Sequence, residues 1–143
     1  MMDSILSLLG LAHKAGKVEI GEEPVGAITR AKKARLLLLA GDAAPSSARR
    51  AMGFAEAGNC LCLTIDADKD ALGRALGRTS CAMCAVSDIG FAAAIAEKLA
   101  ALDEKRYGAA AVTIRQKAEK MAQRKAEKVR HEKNVKQGKK KTK

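Results

Sequence analysis

Aromatic residues are nearly missing from this chain: one Tyr, two Phe and no Trp in 143 residues. Its core must be assembled from Leu, Ala, Ile, Val and Met, and recognition of a ligand by ring stacking has almost nothing to work with. Long apolar runs are missing too. Uncharged ones such as Leu36–Ala40 fall far short of the roughly 20 residues that span a bilayer, so no membrane partner is expected. The opening "MMDSILSLLGLAHKAGKV" sets an acid before its apolar stretch and has no basic leader, so no export signal is expected. Four cysteines without such a signal point to the reducing cytoplasm, where disulfides are rare. Catalytic signatures are lacking as well. There is no Ser-His-Asp set, no pair of carboxylates on one face and no phosphate loop of the Walker type. "GRALGR" is no dinucleotide fingerprint, because its glycines bracket a short helix instead of following a strand. A non-enzymatic protein without cofactor is expected.

What the chain does have is charge, unevenly placed. Residues 1–103 hold 12 Lys or Arg and 12 Asp or Glu, which cancel. Residues 104–143 hold 15 Lys or Arg against Glu104, Glu119, Glu127 and Glu132, so the whole net charge of +11 sits in the last 40 residues. A neutral body of about 100 residues, 1–103, is followed by a cationic tail, 104–143. Such a tail neutralises several phosphates, which points to RNA as partner with a steep salt dependence. An anionic membrane fits less well, since the tail lacks Trp, Phe and Leu anchors.

The body alternates two periodicities. Ile5, Leu8, Leu9 and Ala12 recur at helical spacing, with Asp3 or Ser4 as cap and Gly16 as stop. "KVEI" is extended and leads to Gly21. "EEPVGAITRAKKA" reads as a helix with acids and Pro24 in its first turn and Val25, Ile28 and Ala31 inward. "RLLLLA" has the continuous apolar pattern of a strand buried on both faces. A helix from Asp42 and Pro45 to Ala57 follows, then the strand "CLCLTI" and a short helix carrying Leu72 and Leu76. The strand "CAMCAVSD" and a helix with Phe91, Ile95, Leu99 and Leu102 inward complete the body, with Asp42 and Asp88 as helix caps. The order α-β-α-β-α-β-α-β-α predicts a three-layer α/β/α sandwich around a mixed sheet of about four strands. In the tail, residues 109–135 are rich in helix formers but carry only a thin stripe of Ile114, Ala118, Met121 and Val129, so a helix is expected there, and disorder in "KQGKKKTK".

The cysteines invite a metal reading: C-x-C at 60 and 62, then C-x-x-C at 81 and 84. A four-thiolate zinc site needs tight turns at each pair, whereas both pairs run directly into strand patterns. Strand alternation sends Cys81 and Cys84 to opposite faces, and leaves Cys60 and Cys62 on one face about 6.5–7 Å apart. All four are therefore expected to fill the core, with no metal and no redox pair.

Three stretches, in order, resemble one family: "LLGLAHKAGKVEIGEEPVGAITRAKKARLLLLAGDAAP" (8–45), "LGRALGR" (72–78) and "CAVSDIGFA" (84–92). They are similar to the kink-turn-binding ribosomal proteins named after L-seven-Ae and L-thirty-e, particularly their small bacterial members, over residues 5–100. The resemblance implies an α/β/α sandwich and a structured RNA, ribosomal RNA foremost, as partner in translation. It places the RNA site where a helix opened by a Gly-x-Asn-Glu-type motif meets the loop before the last strand. The motif's glycine matches Gly21, followed by Glu22; the Asn position is Glu23, the next Glu is Pro24 and the later Lys is Ala27. A carboxylate at Glu23 repels phosphate but accepts from guanine or cytosine amino groups. The loop matches Gly77, Arg78, Thr79 and Ser80, and Lys32, Lys33 and Arg35 before the first long strand are candidates for phosphate contacts. The same fold without these RNA-contacting types also suits a module that binds other proteins.

Overall fold

The computed structural model describes the backbone of residues 2–141 and the side chains of residues 2–131. Its elements are α1 (Met2–Lys14), β1 (Val18–Ile20), α2 (Glu22–Arg30), β2 (Leu36–Ala40), α3 (Pro45–Gly58), β3 (Leu61–Ile65), α4 (Lys69–Ala75), β4 (Met83–Val86), α5 (Ile89–Leu102) and α6 (Glu104–Lys141). The sheet has the order β1-β4-β2-β3. Strand β4 runs antiparallel to both neighbours, with Ile20 opposite Cys84 and Leu38 opposite Cys84, while β2 and β3 are parallel. The sheet is mixed and four-stranded, as expected.

Helices cover both faces, and the alternation along β2 explains why. Leu36, Leu38 and Ala40 point into one core with Ile5, Leu9, Leu72, Ile95 and Leu99, beneath α1, α4 and α5. Leu37 and Leu39 point into the other with Val25, Ala51 and Ala55, beneath α2 and α3. Every residue of β2 is buried, which accounts for a run of four leucines without a polar interruption.

Five details depart from the sequence reading. Helix α1 starts at Met2, which puts Asp3 in its first turn instead of at the cap. Ala31 lies exposed beyond α2, and buried Thr29 takes the inward position with its hydroxyl donating to the Val25 and Gly26 carbonyls at 3.0 and 2.9 Å. Asp42 caps a different helix from the expected one: its Oδ1 accepts from Lys69 N at 2.8 Å, at the start of α4, while Asp88 does cap α5 through Phe91 N. Cys81 lies ahead of β4, so strand alternation does not govern it, and Cys81 and Cys84 share one core instead of facing apart. Residues 136–141 of "KQGKKKTK" continue α6, because lysine is a good helix former and propagation adds a bond per residue; residues 142 and 143 lie outside the described residues.

The root of α6 is part of the body. Tyr107, Ala111 and Ile114 recur at intervals of four and three, and all are buried against α5 and the sheet. Tyr107 donates its hydroxyl to Thr64 O at 2.6 Å, and burial raises its pKa. Arg106 bonds Asp66 and Thr64 O, each at 2.8 Å, and lies 4.9 Å from the Tyr107 ring centroid. One end of the sheet thereby anchors α6, and eleven residues later Lys117 Nζ donates to Asn59 O at 3.1 Å at the other end. At 1.5 Å per residue the helix covers about 16 Å between these ties, the length of the strands beneath it.

Candidate functional site

The sheet has two ends, and the candidate residues divide between them. Strands β1, β2 and β3 finish at the first end, where β4 begins; there α2 starts from Gly21. Gly21 has φ +93° and ψ 166°, a conformation that strains any side chain. Its N–H donates to Met83 O at 3.1 Å, and the Cys81 thiol donates to the same carbonyl at 3.1 Å. One acceptor thus ties the start of α2 to the loop that leads into β4.

That loop is held on its inner side and bare on its outer side. Arg78 N donates to Gly73 O at 2.8 Å, Gly77 N to Arg74 O at 3.3 Å and Cys81 N to Lys69 O at 2.9 Å. A Cβ on Gly73 would stand 2.8 Å from the backbone of Ser80, so glycine there lets the loop lie directly on α4. The side chains of Arg78, Thr79 and Ser80 are all exposed, as are Glu23, Pro24 and Ala27 of α2. No side chain caps α2, which leaves the Glu22 and Glu23 N–H groups without helical partners. Glu22 is engaged instead by Arg50 of α3 at 2.6 Å.

Beneath this surface sit the thiols of Cys81 and Cys84. The Cys81 pKa is lowered, first by a hydrogen bond with Cys84; Cys84, wholly enclosed, is raised well above the ordinary range by that same bond and by burial. Burial also raises Cys60, and pushes Cys62 up to about 11. Among the described residues no three His, Cys, Asp or Glu side chains converge as a metal set. Nor is any helix among them long and apolar enough to cross a membrane.

Lys32, Lys33 and Arg35 lie at the second end, roughly 15 Å away along β2. Arg35 N donates to Val86 O at 2.8 Å there, and Lys32 Nζ donates to Ala57 O at 3.1 Å, near the C-terminus of α3. The structure therefore ties Gly21, through Met83 O, to Cys81 at the end of the loop that carries Gly77–Ser80, and sets the three basic residues at the opposite end of the sheet. At the second end those residues meet others that the sequence reading did not single out. Lys32 and Arg35 line a cleft of about 380 Å³ with Lys117, Lys120 and Arg124 of α6. Their spacing along α6, at i, i+3 and i+7, puts all three on one helical face, a signal that was present in the sequence.

Comparison with known proteins gives a consistent picture. The model of the ribosomal protein L7Ae/L30e/S12e/Gadd45 family matches residues 3–96. A solved protein of unknown function from Bacillus halodurans is 28% identical, with TM-score 0.61, over 65% of this chain and 93% of its own. A Giardia lamblia 15.5kD RNA binding protein shares the fold at 21% identity and TM-score 0.54, over 68% of this chain and 85% of its own. No curated protein matches the chain. The matched region of the family stops short of α6.

Proposed function

The chain belongs to the ribosomal protein L7Ae/L30e/S12e/Gadd45 family, and from that premise we propose that it is a non-enzymatic RNA-binding protein of the cytoplasm. Its partner is a structured, kink-turn-like RNA, ribosomal RNA foremost, and its setting is translation. The observation that carries the reading is the joining of Gly21 and the Gly77–Ser80 loop through Met83 O. The uncapped N–H groups of Glu22 and Glu23 and the exposed Arg78 guanidinium, with five donors, are suited to phosphate and base-edge acceptors. Glu23 adds an acceptor suited to guanine or cytosine amino groups.

The test is a titration of the full chain with a kink-turn RNA and an unrelated duplex of equal length at two salt concentrations. A kink-turn preference that Arg78→Ala lowers by about 5- to 100-fold supports the proposal, the range expected for one charged hydrogen-bonded contact. Equal affinity for both RNAs, untouched by Arg78→Ala, overturns it. One observation favours a second reading: Glu22 is already paired to Arg50, and Glu23 adds a second acid beside it. Under that reading the same surface docks a protein, and neither Gly21→Ala nor Arg78→Ala alters RNA binding.

A further inference from the structure

The cleft at the second end gathers five cationic side chains, Lys32, Arg35, Lys117, Lys120 and Arg124, and among the described residues no carboxylate lines it. Two of the five have an evident structural task. Lys32 and Lys117 donate to the Ala57 and Asn59 carbonyls, where the negative end of the α3 dipole favours positive charge. The other three have none. Lys120 and Arg124 are exposed, and Arg35 has its Nε shut off from water without an acceptor among the described residues. An enclosed donor left unmade is costly, and packing α6 here brings three positive charges onto two. An anion in the cleft relieves the mutual repulsion of the five cations.

We propose that this cleft is a second nucleic-acid site, one that seats the phosphodiester backbone of RNA. Two observations favour a chain of phosphates over a single one. Cationic residues continue along α6 past the cleft, at Lys125, Lys128 and Arg130, all exposed. From Lys117 to Arg130 the helix extends about 20 Å, enough for several successive phosphates. No aromatic ring lines the cleft, so nothing there stacks on a base and the contact carries no sequence preference. The site is built by α6, which lies beyond the matched family region, and it faces away from the Gly21–Arg78 surface. A folded RNA held at the first end is thus met by a second strand or helix at the other. The inference rests on RNA being the ligand of this chain, but not on kink-turn recognition.

The test uses the full isotope-labelled chain and three probes: a hexauridylate, a kink-turn RNA and an unrelated duplex. Hexauridylate is expected to shift the Arg35 Nε–H resonance and the amides of residues 117–124. Lys120→Gln with Arg124→Gln is expected to weaken all three probes alike, by about 3- to 10-fold at 0.15 M salt, and to flatten the log–log salt slope by about 1 to 2. Both positions are exposed on a helix and glutamine is a good helix former, so the variant keeps its fold. Shifts confined to the Gly21–Ser80 surface, or an unchanged salt slope in the double variant, overturn the proposal. A cleft that responds in a chain without kink-turn preference supports this site while the first reading fails. An unresponsive cleft beside an Arg78-dependent kink-turn preference does the reverse.

Discussion

Between Glu104 and Met121, α6 buries Tyr107, Ala111 and Ile114, ties Arg106 to Asp66 and reaches Asn59 through Lys117. From Ala122 to His131 the same helix exposes every side chain, and the bond it shows there is Gln123 to Glu127 within its own face. Helix formers fill both stretches, so propensity does not distinguish them. What differs is whether an apolar face meets a partner. The inner turns are stabilised by tertiary packing; the outer turns extend a helix already nucleated and contribute charge, not core.

Removing all of α6 is the harshest test of that contrast. A chain cut after Asp103 exposes the core face under Tyr107 and Ile114 and is expected to lose cooperative unfolding in a thermal melt. A chain cut after Met121 is expected to melt within a few degrees of the full one, yet to bind RNA with about 10-fold lower affinity at 0.15 M salt. If the two cuts destabilise the fold alike, the division of the helix is wrong. Tyr107→Ala should cost about 3–5 kcal/mol in denaturant unfolding, because a buried ring and its bond to Thr64 O are lost together. Gly73→Ala should cost about 1–3 kcal/mol and weaken the Arg78-dependent binding, since its Cβ meets the Ser80 backbone. Smallest is Tyr107→Phe, at about 1 kcal/mol for a single hydrogen bond. An Ala and a Phe variant of equal stability would show that the hydroxyl, not the ring, holds the root in place.

Much of the fold was legible because it is written in local periodicity. The leucine run of β2, the glycine that opens α2 and the inward residues of α5 each signal their element within a few positions. Departures arose where a residue's partner is remote in sequence. Asp42 reads as a cap for the helix beside it, but its oxygen serves Lys69, 27 residues on. Cys81 reads as part of the strand pattern, but β4 begins two residues later and the bend before it brings Cys81 into the same core as Cys84. The spacing of Tyr107, Ala111 and Ile114 is a helical core signature, but a strongly cationic composition hid it.

The sequence alone determined the alternation of helices and strands, the family likeness over the body and the confinement of net charge to the last 40 residues. Those properties follow from residue type and short-range spacing. Only the tertiary structure decided that Gly21 meets the start of β4 at one end of the sheet while Lys32 and Arg35 meet Lys117, Lys120 and Arg124 at the other. The physical reason lies in strand direction. Reversing β4 between β1 and β2 sets which loops share an end, and that choice is fixed by long-range pairing and by α6 docking, which no local pattern encodes.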